Sequence, residues 1–151
     1  MKLETRLFGI IDYEEEDVIT FPAGLPSFEE EHKFLLLPLG PAANDPLYLQ
    51  SVTTPALAFV MMNPFSLSSD YAPQLRRSEL KDLQAERDED LCFYVLCAMK
   101  RPVENSTINM KCPVALNPDT RIAYQVILDS DEYDMRHPLS QFSQSKGDAT
   151  C

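Results

Sequence analysis

Tyr48-Leu49-Gln50-Ser51-Val52-Thr53-Thr54-Pro55-Ala56-Leu57-Ala58-Phe59-Val60-Met61-Met62 is the stretch that decides the fold. Residues 48–52 and 56–62 are short apolar runs with aromatic and β-branched members, too brief for helices and suited to strands. Thr53-Thr54-Pro55 separates them by a turn-length spacer, so the pair is predicted as a hairpin.

The same grammar continues upstream. Residues 34–39 form a continuous apolar run closed by Pro38 and Gly40, and Asn44-Asp45-Pro46 marks the following turn. Val18-Ile19-Thr20-Phe21 is a β-branched and aromatic run that Pro22, Gly24 and Pro26 break. Leu3, Thr5 and Leu7 alternate with Glu4, Arg6 and Phe8, as in a strand, and Gly9 permits a bend.

Downstream, residues 78–89 carry the one helical signal. Ser78 is the expected N-cap, Glu79 falls in the first turn, and Leu80 and Leu83 share a face. Lys81 takes the place where a capping box wants Glu. Residues 91–99, 106–110, 114–116 and 122–128 return to strand composition, punctuated by Pro113 and Asn117-Pro118-Asp119. Short strands at regular intervals point to an all-β sandwich or barrel. The chain of 151 residues and 17.1 kDa is read as one domain over residues 1–139, with a flexible polar tail over residues 140–151.

Thirteen Lys and Arg face 24 Asp and Glu, a formal net charge of -11. Such a surface opposes binding to nucleic-acid phosphates and to anionic lipid headgroups, and favours encounter with basic proteins. The N-terminal residues are charged and lack an apolar core, and no apolar run approaches the ~20 residues of a membrane span. A cytoplasmic protein with reduced thiols is expected.

Four Gly at positions 9, 24, 40 and 147 cannot supply a dinucleotide fingerprint or a phosphate-binding loop. Cys92 and Cys97 are five apart, which puts them on opposite faces of a strand, and there is no C-x-x-C. Cys92, Cys97 and Cys112 are therefore read as small buried hydrophobes. His32 and His137 have no local nucleophile motif beside them. The acidic runs 12–17 and 129–132 lack the Gly and ligand spacing of a calcium loop. No catalytic residue, cofactor or metal is expected.

Three Pro-fixed segments carry aromatics: Phe21-Pro22-Ala23-Gly24-Leu25-Pro26, Asn63-Pro64-Phe65 and Asp70-Tyr71-Ala72-Pro73. Rigid loops with aromatic anchors suit protein interfaces; the same rings could instead fold back over the ends of the domain.

The order of Glu4-Thr5-Arg6-Leu7-Phe8-Gly9, Ile19-Thr20-Phe21-Pro22, Leu49-Gln50-Ser51-Val52, Asn63-Pro64-Phe65, Asp70-Tyr71, Ser106-Thr107-Ile108-Asn109-Met110, Pro113-Val114-Ala115-Leu116-Asn117 and Arg136-His137-Pro138-Leu139 resembles the FliW family of flagellar assembly factors. The resemblance spans residues 2–139. Tyr48 stands where that family often has Trp, Cys92 and Cys97 lie in a strand that is usually aliphatic, and Lys100-Arg101 sits where the family is often more acidic.

The resemblance implies a mainly β, compact barrel-like domain of short, mostly antiparallel strands with one short helix near residues 78–89. It implies a monomeric, non-enzymatic regulator that binds flagellin and the translational repressor CsrA. By exchanging these partners it would relieve repression of flagellin messenger RNA. A flagellin chaperone with no regulatory role, or a small-ligand-binding β-barrel, are the alternative readings. Rigid loops and family motifs together nominate Asn63, Pro64, Phe65, Asp70 and Tyr71 as partner contacts, with Asn109 and Met110 beside them.

Overall fold

The computed structural model describes residues 1–42 and 45–141. The expected turn at Asn44, and the expected tail from residue 142 onward, lie outside the described residues. The chain runs β1 (Lys2–Thr5), β2 (Gly9–Asp12), β3 (Ile19–Thr20), β4 (Lys33–Pro38), β5 (Leu47–Ser51), β6 (Ala58–Met62), α1 (Pro64–Leu67), α2 (Arg77–Asp82), β7 (Cys92–Ala98), β8 (Thr107–Ile108), β9 (Val114–Asn117), β10 (Ile122–Gln125) and β11 (His137–Pro138).

Seven strands close a barrel in the order β7-β6-β5-β4-β3-β10-β9 and back to β7. Only the β10–β3 pair is parallel; the rest are antiparallel. β8 extends β7 outside the ring and β11 pairs with β8, while β1 and β2 form a separate hairpin. The fold is thus the mainly β barrel that the strand spacing and the resemblance led one to expect.

Register explains why the barrel fills. Paired rows bring Leu36 to Leu49 to Phe59, Met61 to Leu96, Tyr94 to Val114, and Cys92 to Leu116 to Ala123. Ile19 faces Phe34. These are the residues of the main apolar cluster, completed by Phe21 and Leu25. Because side chains alternate along a strand, one register fixes the inner set on every strand at once. The interior holds no space for a water molecule.

The opening hairpin is built differently. Gln50 is fully buried, and its Nε2 donates to the carbonyls of Ser51, Pro55 and Leu57 at 3.0, 2.9 and 3.3 Å. One amide therefore satisfies the carbonyls of the β5–β6 turn, where an unpaired buried acceptor is costly. Ser51 Oγ accepts from the N–H groups of Thr53 and Thr54 and donates to Glu31.

Three local expectations change. The first strand ends at Thr5, and the chain returns as β2. Thr5 Oγ1 donates to Gly9 O at 2.7 Å and accepts from Phe8 N at 2.9 Å, closing a turn in which Gly9 has φ +67°. The helix expected near residues 78–89 ends at Asp82, with Gln84 at φ +57° behind it. Its N-cap is Arg76, not Ser78. This shift of two residues puts Glu79 at the third helical position, where Oε1 accepts from Arg76 N at 2.8 Å. The short helix α1 replaces what sequence shows only as a Pro-fixed loop. No helix among the described residues is long and apolar enough to cross a membrane.

Candidate partner-binding surface

α1 begins where Asn63 Oδ1 accepts from Phe65 N at 2.9 Å. Pro64 occupies the first helical position, where its missing N–H costs nothing, and its side chain is buried. Ser66 Oγ donates to Asn63 O at 2.7 Å. This cap and proline fix the direction of Phe65, which keeps 43% of its surface exposed. Its ring meets Tyr71 edge-on at 5.8 Å and Phe93 at 6.3 Å. Phe65 is thus an exposed aromatic held in place from below, the arrangement that loses least entropy when a partner covers it.

Tyr71 and Met110 lie beneath this platform and are buried. The Tyr71 hydroxyl donates to Met110 O at 2.7 Å, and its ring packs at 4.7 Å from Tyr133. Burial, chiefly, pushes the Tyr71 phenol well above its ordinary value. Tyr133 in turn accepts from Ala72 N at 3.0 Å. The loop over residues 70–73 is therefore fastened to two distant parts of the chain.

Asp70 stands exposed on the rim of an open groove of about 620 Å³, with Leu75, Leu128 and Tyr133 among its walls and Asp129 and Glu132 beside it. Across it, Arg76 binds Asp129 through Nε at 3.3 Å and Nη2 at 2.5 Å. Asn109 is apart from this groove. Its Oδ1 accepts from Cys112 N at 2.9 Å, and it borders a smaller hollow with Met135 and Arg136.

The structure thus joins Asn63, Pro64, Phe65, Asp70, Tyr71 and Met110 around one platform and sets Asn109 aside. Sequence reasoning did not single out Arg76, Asp129 or Glu132 as lining one groove. The acidic run 129–132 was visible, but nothing in the spacing links it to residue 76.

The cysteines and histidines lie elsewhere. Cys92 faces the barrel interior and Cys97 the outer wall, as their odd spacing requires. Both are half-buried and Cys112 is buried. Burial pushes the Cys97 thiol up to about 12 and raises Cys92 and Cys112, which disfavours the nucleophilic thiolate. His32 Nδ1 bonds to Phe21 O at 2.9 Å, and His137 Nε2 accepts from Asp134 N at 2.8 Å. Among the described residues, no group of three or more His, Cys, Asp and Glu is placed to hold a metal ion.

The family model described as FliW protein matches residues 2–139. A flagellar assembly factor FliW from Shouchella clausii (strain KSM-K16) is 39% identical over 140 residues, covering 92% of this chain and 94% of that protein. The FliW of Syntrophomonas wolfei is 36% identical over 146 residues, covering 97% and 93%. A crystal structure of the flagellar assembly factor FliW superposes with a TM-score of 0.84 at 36% identity, covering 92% of this chain and 96% of that one. A match across nearly the whole of both chains, in sequence and in fold, makes this protein a member of the FliW family.

Proposed function

We propose that this protein is a non-enzymatic regulator of flagellum assembly that works in the cytoplasm by exchanging two protein partners, flagellin and the translational repressor CsrA. Family membership supports the role in flagellum assembly. The observation that carries the binding mode is the exposed Phe65, buttressed by Tyr71 and Phe93, beside a groove rimmed by Asp70, Asp129 and Glu132. Aromatic anchors provide buried area, and acidic rims steer a basic partner such as a nucleic-acid-binding repressor. The net charge of -11 favours such a partner and opposes direct contact with messenger RNA. The filled barrel interior supports this reading over a small-ligand chamber.

In this scheme flagellin held in the cytoplasm occupies the protein. Export of flagellin frees it to bind the repressor, and flagellin translation resumes. If the partners exclude each other, each weakens the other by the same factor. Calorimetric titration with each partner, alone and then together, tests this. Binding of both with mutual weakening is expected. Binding of flagellin alone would favour a chaperone without a regulatory role, and binding of neither would end the proposal. Phe65→Ala should weaken at least one partner about tenfold, as truncating an interface anchor does, while the fold persists. Unchanged affinity for both would remove Phe65 from the site.

A further inference from the structure

β10 ends at Gln125, but the chain beyond it keeps bonding to the segment before β9. Val126 N donates to Pro113 O at 3.0 Å and Leu128 N to Lys111 O at 2.9 Å, so the chain stays extended beside the segment that leads into β9. Pro113 has no N–H to return, and Lys111 N donates to Asp134 O instead, which is why this ladder is sparse. Successive residues of an extended strand turn their N–H and C=O to opposite sides. With residues 126 and 128 facing the lead-in to β9, Ile127 presents its backbone to the other side. Among the described residues no main-chain group pairs with Ile127 there. β3 covers this side of β10 at Ile122 alone, opposite Thr20. Ile127 is 54% exposed. An unpaired edge with an exposed apolar side chain is a template for another strand.

A charged corridor lies along this edge. A second hollow of about 260 Å³ has Arg76, Glu79 and Asp82 on one wall and Gln125, Val126 and Ile127 on the other. Arg76 borders both this hollow and the larger groove, and its bond to Asp129 ties their walls together. Among the described lining residues of both, Arg76 is the one cation; Asp70, Glu79, Asp82, Asp129 and Glu132 are acids.

We infer that the open edge at residues 125–129 takes an extended, lysine- and arginine-bearing segment of a partner protein as an added strand, and that Arg76 holds Asp129 until that segment arrives. The inference rests on the reading of this protein as one that works by holding other polypeptides. Main-chain bonds to Ile127 provide affinity without sequence demands, and alternate side chains of the added strand meet the acidic walls. Displacing Arg76 exchanges one cation–carboxylate pair for another, so Asp129 is never left without a cation.

The test uses the full chain, isotopically labelled, and a short blocked synthetic peptide alternating lysine with valine. Titration followed by amide shifts and hydrogen exchange should show the Ile127 amide becoming protected as the peptide binds. The same peptide with its backbone nitrogens methylated should lose at least tenfold in affinity, because it retains charge and side chains but cannot donate to the edge. Arg76→Gln should bind the unmethylated peptide about threefold tighter, the size of one exposed ion pair removed from competition.

Asp70→Asn/Glu132→Gln should weaken the peptide about fivefold, in keeping with two exposed charges. Glu29→Gln/Glu30→Gln makes the same charge change in the loop before β4. That loop leads to Lys33, which pairs with Thr20 at the Ile122 end of β10, so affinity should change less than twofold. Equal weakening by both pairs, an Ile127 amide that stays unprotected, or indifference to methylation would each overturn the inference. So would protection of that amide by concentration-dependent dimerisation, which would make a second copy of this chain the occupant. Peptide binding at the edge alongside failure to bind flagellin and CsrA would defeat the functional reading alone.

Discussion

The barrel interior and the apolar cluster on its outer wall are comparable in content and differ in how they are held. Inside, Phe34, Leu49, Met61, Val114 and their strand neighbours meet through strand register, with Phe21 following directly on β3. Outside, Leu67, Tyr71, Val95, Ile108, Met110, Val126 and Leu128 gather from α1, two strands and three connecting segments. The outer set is tied by polar links, with Tyr71 reaching Met110 O across 39 residues and Tyr133 reaching Ala72 N across 61. Asp134 O accepts from both Met110 N and Lys111 N. A closed sheet can specify its core by alternation; a cluster laid over that sheet needs hydrogen bonds to specify which loop lands where.

The largest test falls on the interior. Phe34 is fully buried and meets Phe21 edge-on at 5.2 Å and Phe59 at 6.4 Å. Phe34→Ala should cost about 3–5 kcal/mol, because the close-packed ring of strands cannot collapse into the space left. Urea unfolding should lose that much with one transition by every probe. A loss under about 1 kcal/mol would mean that the interior relaxes freely, contrary to a close-packed core.

The second test compares the outer cluster with this. Tyr71→Phe keeps the ring and removes the bond to Met110 O, at a cost of about 1–2 kcal/mol. Exchange should rise first in the segment around Tyr133 and Asp134, with β4 to β6 unaffected. The same residue sets an alkaline limit. In the unfolded chain Tyr71 loses its proton near 10 and Cys97 near 9; in the folded chain burial holds both protons, Cys97 up to about 12. From about pH 9 upward the folded state binds more protons than the unfolded one, so stability is full below that pH and falls as pH rises. Tyr71→Phe should be less stable at pH 7 yet lose stability less steeply above pH 10, read by urea midpoints across that range.

The contrast also explains what could be read from sequence. The short apolar runs 48–52 and 56–62 reveal that strands exist there; which side chains turn inward is set by the register with their neighbours. The opposite faces of Cys92 and Cys97 follow from the alternation of side chains along a strand. The outer wall has no period. That Arg76 would meet Asp129 depends on α2 starting two residues early, a choice made by Glu79 reaching back to Arg76 N. The β1–β2 turn depends on one hydroxyl, Thr5, closing on Gly9. Asn63-Pro64-Phe65 was legible as rigid and aromatic, but Phe65's exposure and the burial of Tyr71 depend on Tyr133 and Phe93, remote in sequence.

The smallest effect comes from a polar link placed on the barrel itself. Glu31 Oε1 accepts from Ser51 Oγ and Oε2 from Thr54 Oγ1, both at 2.6 Å, joining the loop before β4 to the β5–β6 turn. These two bonds, Ser51's first, hold the carboxyl below its ordinary 4.5. The ionised form accepts both hydroxyls, so its contribution is complete above pH 4.5. Below that, the unfolded chain takes up the proton first, and the contribution fades as pH falls through the lowered folded value. In Glu31→Gln the amide group cannot accept from the second hydroxyl, and the pH dependence disappears with the charge. The stability difference between the two proteins should therefore be greatest near neutrality and shrink below pH 4.5, measured by urea midpoints at several pH values. It should also stay below that of Tyr71→Phe, because the β5–β6 turn keeps Gln50 and the strand register. If Glu31→Gln cost more than Tyr71→Phe, the barrel would depend on polar links as much as its outer wall does, and the contrast between the two regions would fail.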